Sequence, residues 1–189
     1  TDAVFPSSLH LANEKDCTNP ENIYGKSKEL GEFFLINSDR DFLIIRTTIV
    51  GLNKNKDKKS FVEWIIDSSK SNDIISLFDD VTFNPISIWD FSKELRHLIN
   101  ENNINSEVLH IAGQEIVTKY EFGIRLLDKY KLPADNVKKG FIKNFKQRAK
   151  RSNNQTLDCS LYEKKFNRIL PNLNQTILTI RSKNYEKRH

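Results

Sequence analysis

Tyr24 and Lys28 stand four positions apart in "YGKSKELGE" (residues 24–32), just behind the breaker "NPEN". Four positions are slightly more than one helical turn, so on a helix both side chains share a face and can reach into one site. A free phenol has a pKa of about 10, too high for efficient proton exchange at neutrality. A neighbouring ammonium favours the phenolate and draws that value toward the working range. The same ammonium can donate hydrogen bonds to a sugar hydroxyl. The residue types alone leave two readings open: a proton-transfer pair, or the polar face of an ordinary helix.

The elements around the pair point to an α/β chain. In "NPENIYGKSKELGEFFLINS", Asn19 is a candidate cap, Pro20 suits the first helical position, and Glu21 suits the positive end of the macrodipole. Ile23, Leu30 and Phe34 recur at near-helical spacing as an apolar stripe. "DFLIIRTTIVG" follows as a continuous β-branched run, the pattern of a strand buried on both faces of a parallel sheet. A strand, a helix and a further strand in succession imply a right-handed crossover. Beyond the charged loop "NKNKDKKS", a helix is expected from Phe61 to Ser69, short strands at "DIISLF" and "FNPISI", and a helix in "WDFSKELRHLINEN". "EVLHIAG" reads as a second buried strand, and Thr118 as the cap of a helix through "YEFGIRLLDKYK". The region after Pro133 reads as more irregular, with a short helix at "SLYEKKFN".

Composition narrows the function classes. The chain has 189 residues, 38% hydrophobic, enough for a real core, and no apolar run long enough for a membrane helix. The opening residues do not resemble a signal peptide. Cys17 and Cys159 are isolated, with neither metal-ligand spacing nor a disulfide framework, so no metal is expected and the setting is read as reducing and cytoplasmic. The net charge of +5 comes largely from "KKGFIKNFKQRAKR", where seven of fourteen positions from Lys138 to Arg151 are basic. Such a block can hold phosphates or simply be solvated. With no accompanying nucleic-acid motif, a polynucleotide partner is not expected.

Taken in order, "TDAVF", "YGKSKELGE" with "LIIRTTIVG", "FNPISIWDFSKEL", "VLHIAG" with "TKYEF", and "RSNNQTLDCSLYEKKF" resemble the extended short-chain dehydrogenase/reductase superfamily. Within it, the match is to the dTDP-4-dehydrorhamnose reductase family, and it runs almost to the end of the chain. The resemblance implies the C-terminal part of a Rossmann-like doubly wound parallel sheet plus a smaller substrate-binding lobe. Residues 1–51 would form the back half of the NAD(P)-binding domain. Residues 52–189 would form mainly the substrate lobe, with a strand at 107–113 returning to the sheet. NADPH or NADH would be the cofactor and a nucleotide-sugar the substrate, with no nucleic acid or membrane partner. Tyr24 would be the general acid at a carbonyl oxygen, Lys28 would hold the nicotinamide ribose, and the Thr1 hydroxyl would bond the reacting oxygen. Thr47, Thr48 and Ile49 would pass the nicotinamide, while Ala3, Ile49 and Arg151 would meet the substrate. A homodimer would pair through the helix at 20–37.

The chain also departs from this pattern. Its six glycines, at 25, 31, 51, 113, 123 and 140, never stand in a G-x-G relation, so the turn that lets a backbone approach a pyrophosphate is missing. "TDAVF" reads like the exit of a strand, and about a hundred further residues are expected before it. The 189-residue chain alone is therefore expected not to turn over. Ala3 and Ile49 replace aromatic residues typical of the rhamnose-pathway enzymes, which puts the usual sugar in doubt. Asp2-Ala3 in place of Asp-Glu disfavours a dehydratase. A nucleotide-sugar epimerase and a non-catalytic regulatory subunit of the same fold remain as alternatives.

Overall fold

The computed structural model describes residues 1–53, 55, 57–100, 106–145 and 150–186. Asp2–Val4 form a 3-10 turn rather than the end of a strand, with Thr1 as its cap. Helix α1 spans Ile23–Ile36. Its cap is Asn22, three residues later than the sequence pattern places it; the Asn22 carboxamide accepts from the Gly25 N–H at 2.8 Å. The β-branched run that follows is not one strand. It breaks at Thr47 and Thr48 into β1 (Leu43–Arg46) and β2 (Ile49–Val50), because the two halves pair with different partners.

Strand β1 pairs in parallel with β6 (Glu107–His110), from Leu43 opposite Glu107 to Arg46 opposite His110. Strand β2 pairs in parallel with β5 (Ile86–Ser87), which leads directly into α3 (Ile88–Asn100). Pro85, with no N–H to give a ladder, separates β5 from β4 (Thr82–Phe83). Strand β4 is central in a small mixed sheet, between β7 (Val117–Thr118, antiparallel) and β9 (Asn154–Gln155, parallel). Strand β3 (Ile75–Phe78) pairs in parallel with β8 (Val137–Gly140). Helices α2 (Phe61–Ser71) and α4 (Lys119–Tyr130) both begin with a reciprocal capping box, Ser60 with Glu63 and Thr118 with Glu121. The region after Pro133 is more regular than expected, holding β8, α5 (Ser160–Phe166) and the fourteen-residue α6 (Leu173–Glu186).

Two apolar clusters carry the structure. One joins α2, α4 and α6 through Ile65, Phe122, Leu126 and Ile177. The other gathers Val4, Leu109, Ile111, Leu98 and Tyr162 around β6, α3 and α5. Asn84, 2% exposed, ties the middle of the fold together. Its amide donates to the carbonyls of Gly113 and Leu157, and its oxygen accepts from the Leu157 N–H. Helix α1 is the exception to this packing. Only Gly25 is buried, and the expected stripe of Ile23, Leu30 and Phe34 is exposed, because nothing among the described residues covers it.

Helix α1 is fastened by polar contacts instead. The buried Arg46 guanidinium, at the end of β1, donates to the Glu32 carboxylate through Nε (3.1 Å) and Nη2 (2.7 Å). It also lies 4.8 Å from the centre of the Phe5 ring and donates to His110 Nε2 at 3.3 Å. His110 Nδ1 in turn donates to the Ala12 carbonyl at 3.0 Å. Burial, with Arg46 beside it, pushes the His110 pKa down to about 4. A folded value below the unfolded one, about 6.5, means that the unfolded chain takes up the proton first as pH falls. This contribution to stability is therefore complete above about pH 6.5 and drains away toward pH 4. Urea titrations across that range should show a loss on the order of 3 kcal/mol from this residue. In His110→Gln the slope should be largely absent.

Candidate functional site

The carboxyl ends of β1 and β6 are where an open parallel sheet presents its ligand crevice. A cavity of about 1270 Å³ opens at this end of β1, and Thr1, Tyr24, Lys28, Thr47, Thr48, Ile49 and Arg151 all line it. An adjoining recess of about 420 Å³ contains Ala3 together with Thr1, Tyr24 and Arg151. The residues singled out from the sequence thus line two neighbouring pockets that share Thr1, Tyr24 and Arg151.

Each side chain has an identifiable positioner. Thr1 accepts from the Ala3 N–H and donates to Asp2 Oδ1, both at 3.3 Å, which fixes its hydroxyl within the opening turn. Tyr24 and Lys28 occupy the first two turns of α1. They are exposed to the cavity, with Lys28 Nζ 5.5 Å from the Tyr24 ring centre. The close seat of α1 against the opening turn depends on Gly25. A Cβ there would fall 2.2 Å from the Ala3 carbonyl oxygen and 2.7 Å from Pro20 Cβ. The missing side chain lets Tyr24 approach Thr1.

The strand break between β1 and β2 sorts the two threonines. Thr48 is buried and its hydroxyl donates to the Asn84 carbonyl at 2.5 Å, so it joins the cavity wall to the central asparagine. Thr47 Oγ1 is buried and has no hydrogen-bond partner among the described residues. A polar atom in that state calls for an incoming donor or acceptor. Asn22 Nδ2 donates to the Lys150 carbonyl at 2.9 Å, which ties the start of α1 to the segment carrying the exposed Arg151. Of the basic block, Lys139 pairs with Asp79 and Lys150 with Glu21, while residues 146–149 lie outside the described residues.

Among the cavity residues that escaped the sequence reading as members of the site are Lys119 and Asp2. Lys119, the first residue of α4, places its ammonium 3.3 Å from the centre of the Phe83 ring and 5.6 Å from that of Phe61. Burial pushes its pKa down to about 7, partly countered by Asp2. Burial likewise raises the Asp2 carboxyl, with Lys119 acting against the rise. The available signal was a conflict: a lysine at a helix N-terminus faces the positive end of the macrodipole and needs a compensating reason to be there.

Among the described residues no three His, Cys, Asp or Glu side chains gather as a metal site, and no helix is long and apolar enough to cross a membrane. Both cysteines are free thiols.

A parallel α/β framework with a tyrosine and a lysine at the carboxyl edge of its strands defines a Rossmann-like protein. The chain belongs to the RmlD substrate binding domain family, which it matches over residues 1–184. It is 25% identical over 167 residues to methionine adenosyltransferase 2 subunit beta of Bos taurus, covering 86% of this chain and 50% of that protein. It is 25% identical over 183 residues to a probable low-salt glycan biosynthesis reductase, Agl14, of Haloferax volcanii, covering 95% and 60% respectively. The fold matches a dTDP-4-dehydrorhamnose reductase of Bacillus anthracis, solved with NADP. The TM-score is 0.87 at 21% identity, covering 96% of this chain and 63% of that one. The chain spans about half to two thirds of the length of these relatives.

Filling the space at Gly25 tests the seating of α1. Gly25→Ala should push α1 off the opening turn and lower turnover of the reaction proposed below by the full-length protein at least about tenfold, a barrier increase of about 1.4 kcal/mol. Gly31→Ala, in the same helix with open space around it, should leave turnover unchanged. Steady-state kinetics on both variants separates seating from helix propensity.

Proposed function

We propose that this chain is the catalytic and substrate-binding part of an NAD(P)H-dependent reductase acting on a keto group of a nucleotide-activated deoxysugar. The observation that carries the proposal is the convergence of Thr1, Tyr24, Lys28 and Thr47 on one cavity at the carboxyl edge of the parallel strands. The likeness to a probable glycan biosynthesis reductase and to a dTDP-4-dehydrorhamnose reductase fold supports it.

In this reading the Tyr24 hydroxyl protonates the carbonyl oxygen, and the Thr1 hydroxyl donates to that same oxygen as charge develops on it. Lys28 holds the nicotinamide ribose and favours the phenolate that Tyr24 leaves behind. Thr47, Thr48 and Ile49 flank the nicotinamide, and the unpartnered Thr47 hydroxyl fits a polar edge placed there. When bound, the nicotinamide supplies the hydride. Ala3 and Ile49 border the sugar, and Arg151 takes the diphosphate. The sequence has no glycine-rich turn for the pyrophosphate, so these 189 residues hold only the nicotinamide end and do not turn over alone. We place the protein in the cytoplasm, in keeping with its two free thiols. The uncovered apolar side chains of α1 offer the surface for a homodimer.

A second reading rests on one comparison. A relative of similar identity is named as a subunit of a methionine adenosyltransferase, which supports a role as the subunit of a larger enzyme. A stoichiometric partner recovered with the protein, together with no reductase activity, would favour it.

The decisive variant is Tyr24→Phe in the full-length protein. NADPH binding, followed by fluorescence, should be unchanged, while turnover of nucleotide 4-keto sugars should fall roughly 10²–10⁴-fold. Near-normal turnover would remove Tyr24 from the role of acid.

A further inference from the structure

Lys119 and Asp2 are the charged groups in the cavity that this reaction does not use, and Lys119 is the cation of the two. Its place is fixed from both sides. The Lys119 N–H donates to the Val81 carbonyl at 3.0 Å, and β7 immediately before it is paired with β4, the strand that carries Phe83. The backbone that carries the side chain is therefore fixed at the start of α4. Its ammonium sits over Phe83 at 3.3 Å with Phe61 on a second side, and no hydrogen-bond acceptor among the described residues reaches it. Aromatic faces attract a cation but give its N–H groups no lone pair.

Asp2 is the opposing charge across the cavity, yet it forms no direct ion pair with Lys119. The same burial that disfavours the ammonium also disfavours the Asp2 carboxylate. The site is thus short of negative charge at one defined point, and the first turn of α4 adds its own positive field there.

We propose that Lys119 selects the substrate, its ammonium receiving a carboxylate carried on the sugar ring of the nucleotide-sugar. This rests on the reading of the cavity as a nucleotide-sugar site, and it sets a carboxylate at C6 in place of the methyl group that a 6-deoxysugar would carry there. Asp2 follows Thr1 directly, and Thr1 is the residue proposed to touch the reacting oxygen, so Lys119 faces the sugar. Rings on two sides leave a narrow approach that suits one planar carboxylate. A diphosphate, with several oxygens and more charge, fits the exposed Arg151 better. An arriving carboxylate supplies the missing charge and acceptor together, and draws the Lys119 pKa, about 7 without it, back upward.

The test compares sugars that differ only at C6. UDP-glucuronate against UDP-glucose, and the corresponding dTDP pair, would be titrated by calorimetry into the full-length protein and into Lys119→Met. Circular dichroism would confirm folding of the variant, with Lys119→Gln substituted should the methionine variant not fold. The wild type should bind the carboxylated sugar at least about tenfold more tightly than its neutral partner. In the neutralised variant the two should agree within about twofold, while affinity for the neutral sugar is kept. Equal binding of both sugars by the wild type, or a preference that survives loss of the ammonium, would overturn the role of Lys119 and leave the reductase reading in place. Binding of none of these nucleotide-sugars would overturn the role of Lys119 and the reading of the cavity as a site for nucleotide hexoses.

Discussion

The bidentate contact between Arg46 and Glu32 is the constraint on which the site depends. Helix α1 carries Tyr24 and Lys28, and among the described residues it has little hydrophobic fastening. A guanidinium buried at the end of β1 replaces it, held in its plane by two N–H donors to one carboxylate, by the Phe5 ring and by His110. Removing one partner of such a pair strands the other charge, typically at a cost of about 3–5 kcal/mol. The distance between the strand ends and the YxxxK face is therefore set by an ion pair and by the absent side chain of Gly25. Both are directional devices, and they fix a position more narrowly than a smear of apolar contact would.

The far wall of the cavity is organised on a different principle. Phe122 lies between Phe61, stacked on it with ring centres 5.8 Å apart, and Phe83, which meets it edge-on at 5.5 Å, and the three rings connect the apolar core to the cavity surface. Lys119 is held on the outer face of that stack, where its charge is neither solvated as in bulk nor paired as in a salt bridge. The two walls contribute unlike chemistry: proton donors on α1 and the opening turn, and an aromatic surface with a single cation on α4 and β4. A ligand spanning them meets hydroxyl chemistry at one end and charge recognition at the other.

Much of the fold was legible because local signals agreed with it. Ser60 with Glu63 and Thr118 with Glu121 announce α2 and α4, since a cap and its reciprocal carboxylate are properties of four consecutive residues. Strand β6 declares itself through the largely apolar segment "EVLHIAG". The failures have physical reasons. Strand β8 contains two exposed lysines and becomes a strand only by pairing with β3. Helix α6 carries Leu173, Ile177 and Ile180 at helical spacing, but its β-branched residues weaken the propensity, and its packing on α4 completes the case. The break at Thr47 and Thr48 is invisible in a continuous β-branched run because it arises from a change of pairing partner.

By itself the sequence determined the chemical inventory: a tyrosine and a lysine on one helical face, a threonine near the start, and an α/β order to carry them. Side-chain spacing on a helix is a local property, so four positions suffice to put Tyr24 and Lys28 together. Only the tertiary structure decided that Thr1, Thr47 and Arg151 share their cavity, because those contacts join segments up to 150 positions apart. It alone placed Lys119 opposite Asp2, 117 positions earlier in the chain, and gave both their shifted proton affinities. Burial creates those shifts, and burial is a property of the packed chain rather than of any residue within it.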